Sequence, residues 1–273
     1  MQEPLKKKIG MWLSLACLLL SIIPNLKSAQ AQTDTIERGL ALKPDESFIA
    51  LSEYSPISAP DDGSEFESTK PFASSSALKA VGASAPDNYG YYWDDKVPLE
   101  WIDATGGTNT GMTGNSPGQA TAPIPMGFIF PFYENEYNEV TIAASGYVSF
   151  NTNDNWPSQS QIPTSSEPNN VIAPYWSPLY LDPNDPSGEV FYLQGGEAPD
   201  RYFVVEWNNV AGYRPDGSGA RDDLFHFQVV LHENGDITFQ YALMNFTDSS
   251  YCGSAGIENA SGEDGLSYLS FCS

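Results

Sequence analysis

The chain has 273 residues, 41% of them apolar, and sets 12 basic against 35 acidic side chains for a net charge of −23. Nucleic acid and anionic membrane are excluded as partners by that balance, since both need basic patches. A solubilised exterior protein fits it, as does one that collects divalent cations.

Lys6, Lys7 and Lys8 precede an apolar run from Ile9 to Ile23, and Ala29-Gln30-Ala31 follows as a small-x-small cleavage site. These parts predict a secretory signal peptide over residues 1–31, cut after Ala31. The run, interrupted by Ser14 and Ser21, is short for a membrane span. Cys17 lies inside it, with Ser14 three residues earlier, which disfavours lipid attachment. The mature chain is expected to carry no membrane span and to be secreted, or held at the cell surface or in the periplasm.

Residues 32–86 hold scattered Ser, Pro, Ala and acidic residues and read as a mostly disordered low-complexity linker or pro-segment. Two short stretches in it, Ile36 to Leu42 and Phe48 to Tyr54, have the apolar content of a helix or a strand. From Asp87 the composition changes. Tyr89, Tyr91, Tyr92, Trp93 and Trp101 cluster there. Flat rings can stack on sugar faces, but such rings more often close one end of a β core. Gly106 to Pro123 is a loop by composition. Its Gly114-Asn115-Ser116-Pro117-Gly118 matches a nucleophile elbow only in letters, because the strand and helix that motif needs are missing around it.

Met126–Phe150 organises the rest. Val140, Ile142, Ala144, Val148 and Phe150 share one parity and polar or small residues share the other, a half-buried β pattern. A two-residue turn at Ser145-Gly146 would put Val148 and Phe150 opposite to Ile142. A three-residue turn, Ser145 to Tyr147, keeps the apolar set on one face. After a polar loop come Val171–Trp176, Glu189–Leu193 and Arg201–Trp207. The last has large apolar residues on both parities and predicts a strand near a sheet centre. Leu224–Leu243 reads as a hairpin on a two-residue Asn234-Gly235 turn, with Val230 facing Phe239. Short strands between Gly, Pro, Asn and Asp turns, without helical periodicity, predict an all-β, antiparallel β-sandwich with long polar loops over residues 87–273. Cys252 and Cys272 remain after cleavage and are expected to form a disulfide, a closure worth about 3 kcal/mol.

The order of these segments resembles the nidogen-type extracellular domain, NIDO. Carrying it are Pro131–Tyr133, Val140–Phe150, Ile172–Trp176, Val190–Leu193, Phe203–Val210, Phe225–Tyr241 and Ala255–Gly265. Together they cover roughly residues 88–268 and are more similar still to bacterial secreted relatives found beside exported peptidases. The resemblance implies an extracellular, noncatalytic β domain of the kind found in matrix, mucin-like and adhesion proteins. It carries no catalytic residue to a position of this chain.

His226 and His232 are the only histidines and share one face of an extended strand, about 20 Å apart. They cannot hold one metal together. Glu206 sits among large apolar neighbours, so burial would raise its pKa or demand a cation such as Arg201, Arg214 or Arg221. Asp182, Asn184 and Asp185, then Asp216, Asp222 and Asp223, form oxygen-rich turns. Asp182, Asn184 and Asp185 are the calcium candidates, although the same residue types build ordinary turns. Calcium is thus the one candidate cofactor. Asn245 and Asn259 begin glycosylation sequons, meaningful only in a eukaryotic secretory pathway.

The expected function is a noncatalytic binding or adhesion module presenting sandwich loops to an extracellular protein or glycan. Two alternatives stand beside it, a secreted hydrolase using paired carboxylates and an accessory partner of an exported protease.

Overall fold

The computed structural model describes residues 38–44, 83–113, 118–151, 155–181, 188–214, 220–246 and 252–271. The expected signal peptide and its cleavage site after Ala31 lie outside the described residues, as does most of the 32–86 stretch.

In chain order the strands begin with β1 (Arg38–Pro44), β2 (Tyr91–Asp94), β3 (Thr108–Asn109), β4 (Ile124–Phe132) and β5 (Asn135–Ala143). They continue with β6 (Tyr147–Ser149), β7 (Val171–Trp176), β8 (Leu179–Tyr180), β9 (Glu189–Gly195) and β10 (Tyr202–Tyr213). The last are β11 (Ala220–His232), β12 (Ile237–Asn245), β13 (Gly253–Glu258) and β14 (Gly265–Phe271). One sheet has the order β2-β1-β12-β11-β10-β9-β3, with β8 paired to the far half of β10. The other has the order β14-β13-β7-β6-β5-β4. Pairing is antiparallel throughout both, and the expected all-β sandwich is what the chain forms.

The core lies between the sheets. Phe203, Val205 and Trp207 of β10 point into it, as do Phe227 and Val229 of β11, against Phe130, Ile142 and Ile172 of the smaller sheet. Two polar ring tips are satisfied across the gap. Trp207 Nε1 donates to the Ala143 carbonyl at 3.1 Å, and the Tyr241 hydroxyl to the Pro174 carbonyl at 2.7 Å. The β4 side of the seam is closed by Arg201 and Gln194. Arg201 Nη1 donates to the Gly127 carbonyl at 2.6 Å and Gln194 Nε2 to the Pro125 carbonyl at 2.5 Å.

Four features differ from the sequence reading. First, the stretch expected to be a linker supplies β1. Leu42 pairs with Ile237 on one side and Trp93 on the other, and its side chain is fully buried in the core. Ile36 to Leu42 is one of the two stretches with the apolar content of a helix or a strand, and the period-two signal of Leu40 and Leu42 is too short to choose between them. The sandwich therefore recruits chain from ahead of residue 87.

Second, the β5–β6 hairpin has three loop residues, as expected, but they are Ala144, Ser145 and Gly146. Ile142 pairs with Val148 and both face the main core, while Gly146 takes a φ of 88°.

Third, the Asn234-Gly235 turn is one residue longer than expected. His232 N donates to the Asp236 carbonyl and Leu231 pairs with Ile237, so the loop is Glu233-Asn234-Gly235 with Gly235 at φ 91°. Val229, not Val230, faces Phe239. The two-residue register would have set inward Leu231 against outward Thr238. The three-residue loop matches apolar to apolar, and burial decides it.

Fourth, the middle of the smaller sheet is buried on both faces, not one. Residues 140–149 are all buried. Ala143, Tyr147, Val171, Ala173 and Trp176 form a second cluster on the outer face, capped by Ile162 of the polar loop before β7.

Candidate functional site

The outer face of the larger sheet carries Glu206 of β10, Gln228 of β11 and Gln240 of β12 in one row, each paired to the next across the strands. The segment from Glu100 to Thr105, between β2 and β3, crosses over that row. Gln240 Nε2 donates to the Glu100 carbonyl at 2.7 Å. Gln228 holds Ile102 twice, donating to its carbonyl at 3.0 Å and accepting its N–H at 3.2 Å. Glu206 Oε2 accepts the Ala104 N–H at 2.8 Å. Alternate residues of the crossing segment are thus gripped by successive neighbouring strands. Beneath it, Ala104, Val204 and Val230 form a small apolar cluster with Ile102 packed on it.

Glu206 is 1% exposed. The partner beside it is none of the expected arginines. Its Oε1 lies 2.8 Å from His226 Nε2, and the His226 ring meets the Trp101 ring edge-on at 4.6 Å. Arg201 instead binds Glu233 through Nε and Nη2 and lies 5.7 Å from the Phe128 ring centre. Arg214 faces Asp222 at 3.9 Å on an exposed surface, and the side chain of Arg221 is outside what the structure describes. His232 meets Thr238 Oγ1 at 3.2 Å, far from His226 along the strand. Both Glu206 oxygens are engaged, one on a main-chain N–H and one on an imidazole. The arrangement holds a chain crossing in place.

The aromatic cluster closes one end of the core. Asp87 organises it through a turn in which Oδ1 accepts the N–H groups of Tyr89, Gly90 and Tyr91, the last two at 2.8 Å. Its Oδ2 accepts the Tyr133 hydroxyl at 2.9 Å. Burial is the main influence on Asp87 and pushes its carboxyl pKa up, against the lowering by these hydrogen bonds. Burial also raises the Tyr91 and Tyr133 hydroxyls. Tyr91 and Tyr133 are 4.8 Å apart and almost fully buried, while Tyr89 keeps a face to solvent. Trp93 packs edge-on against Tyr268. The core reading of this cluster holds for Tyr91 and, partly buried, for Trp93; Tyr89 keeps a face to solvent and Trp101 lies against His226 on the outer face of the larger sheet.

Of the remaining candidates, Asp182, Asn184 and Asp185 lie outside the described residues, as do Asp216 and Ser116. Among the described residues, no group of three or more His, Cys, Asp or Glu side chains is placed to hold a metal ion. Cys272 also lies outside them. Cys252 is half-buried, and its carbonyl accepts the Ser177 hydroxyl at 2.6 Å. Asn259 is buried and donates to Glu134 Oε1 at 2.8 Å, so its amide is engaged within the fold. No helix among the described residues is long and apolar enough to cross a membrane.

Sequence reasoning missed Trp156, in the polar loop before β7. Three side chains fix its backbone. Ser145 Oγ donates to its carbonyl at 2.7 Å, Trp176 Nε1 to the same carbonyl at 3.4 Å, and its N–H donates to the Tyr147 hydroxyl at 3.0 Å. Its indole is nonetheless 50% exposed. The available signal was a tryptophan inside a run, Asn155 to Ser166, that contains no charged residue in a strongly acidic chain.

A family model described as NIDO related matches residues 91–271, well over half of the chain. No curated protein and no solved structure matches it.

Proposed function

The chain belongs to the NIDO-related family, and we propose on that footing that it is an exported, noncatalytic β-sandwich module that binds an extracellular protein or glycan. Residues 1–31 act as the export signal, released after Ala31. The observation that carries the reading is Trp156, whose backbone is fixed by Ser145, Tyr147 and Trp176 while half of its side chain faces outward. A large ring presented on a loop hydrogen-bonded to the sheet is costly to keep in water and contributes strongly when a partner covers it. Support for the noncatalytic part comes from Glu206, the acid singled out by its apolar neighbours, which is buried with both oxygens engaged.

Export would also oxidise Cys252 and Cys272. Gly253 and Phe271 are the last paired residues of β13 and β14, each one residue from a cysteine.

The test is an array of extracellular-matrix proteins and glycans probed with the mature protein and with Trp156→Ala. A partner retained by wild type and lost by the variant is the expected result. Glycoside or peptide hydrolysis abolished by Glu206→Gln would replace the binding reading with an enzymatic one.

A further inference from the structure

Resting on the binding-module reading above, we infer that Trp156 and the uncharged run Asn155 to Ser166 around it form a subsite for a neutral saccharide. Three observations carry this. The first is rigidity, because the Trp156 peptide is bonded to three side chains of the smaller sheet. Beneath it, Tyr147 and Trp176 pack ring against ring at 4.9 Å, and Ile162 pins the loop's far end into the same cluster. A ring held this way loses little conformational freedom on binding.

The second is chemistry. The chain carries 35 acidic side chains, yet Asn155 to Ser166 has no charge of either sign and is rich in Ser, Thr, Gln and Pro. An anionic ligand would find no basic side chain on the loop, where the flanking charges are Asp154 and Glu167. The C–H face of a sugar ring instead matches an indole, and its rim of hydroxyls matches neutral amides and alcohols, here the exposed Asn155, Ser158 and Gln161.

The third is extent. The other exposed large apolar side chains among the described residues are Tyr89 and Ile129, the one preceding β2 and the other on β4. A stable protein interface needs about 800 Å² per partner with an apolar centre. One indole in a polar loop is the scale of a sugar subsite.

The full-length mature protein would be titrated calorimetrically with cellohexaose, chitohexaose, xylohexaose and mannohexaose, alongside Trp156→Ala, Trp156→Phe and Ile129→Ala. At least one saccharide is expected to bind. Trp156→Ala should weaken it about tenfold or more, Trp156→Phe should retain part of the affinity, and Ile129→Ala should leave it unchanged. Thermal melts that superimpose for Trp156→Ala and wild type separate loss of the subsite from loss of the fold. Silence from all four saccharides overturns the inference, and so does binding that survives Trp156→Ala. If an extracellular protein then binds in a Trp156-dependent manner, the module reading stands and the saccharide class falls. If neither kind of partner binds, both fall.

Discussion

Glu206 and His226 meet at 2.8 Å on the outward face of the larger sheet, although the carboxylate is 1% exposed. The same carboxylate holds the Ala104 N–H, so one side chain joins β11 to the segment crossing above it. Glu206→Ala leaves a buried N–H without its acceptor and an imidazole without its partner. The expected loss is about 3 kcal/mol. Glu206→Gln keeps an acceptor for Ala104 and should cost less. Urea unfolding of both variants checks this, and equal losses would show that the main-chain contact is not what matters.

Gly146→Ala is expected to fail for a different reason. An added Cβ would stand 1.9 Å from the Tyr175 carbonyl oxygen, at a backbone φ of +88°. Neither backbone can move without opening the β6–β7 junction, so a loss of at least about 2 kcal/mol is expected. Gly106 has nothing within 4 Å of its hypothetical Cβ. Gly106→Ala should stay within about 0.5 kcal/mol of wild type. Thermal melts of the pair separate the two positions.

A chain beginning at Asp87 should be less stable than one that keeps residues 34–86. It would lack β1, expose the edge of β12 and lose Leu42 from the core. Leu42→Ala alone should cost about 2–5 kcal/mol. The truncated chain is also expected to self-associate through the freed edge. Chromatography with light scattering and thermal melts read both effects. A truncated monomer that melts with the parent would remove β1 from the fold.

Two carboxylates should pull stability in opposite directions on acidification. The Asp87 pKa is raised above its ordinary 3.8, chiefly by burial. Its contribution is therefore full below 3.8 and is lost as pH rises through the raised value. Wild type should gain on Asp87→Asn as pH falls through that window. The Glu233 pKa is lowered below 4.5, chiefly by its hydrogen bond from Arg201. Its contribution is present above 4.5 and is lost as pH falls through the lowered value, so Glu233→Gln should approach wild type in acid. Melting temperatures of the three proteins between about pH 3 and 7 test both signs.

Oxidised mature protein should show no free thiol and a Cys252–Cys272 cross-linked peptide by mass spectrometry. Reduction is expected to lower stability by about 3 kcal/mol. Two titratable thiols in freshly exported protein would sink the pairing.

The fold was legible where burial repeats with the strand period. Both parities of Phe203–Trp207 are apolar, and β10 is an interior strand with one set inward and Val204 and Glu206 outward under the crossing segment. Legibility ended where a pattern was too short or the deciding partner was distant in sequence. Leu40 and Leu42 show only two beats of a strand. The Asn-Gly pair announces a turn but does not fix the loop length, which the Leu231–Ile237 match decides. Glu206 could be singled out from its neighbours, but its partners His226 and Ala104 come from a neighbouring strand and a distant loop. Trp156 stayed hidden because polar loops are read by what they lack.

β1 is the first of the described strands, yet it lies between β2 and β12, so its second partner is made only after most of the protein has been synthesised. Until then Leu42 and the open hydrogen-bonding edge have nowhere to go. The larger sheet cannot be completed progressively from its N-terminal end. Such long-range closure makes for slow folding, and it leaves the growing chain open to chaperones for nearly the whole of its synthesis.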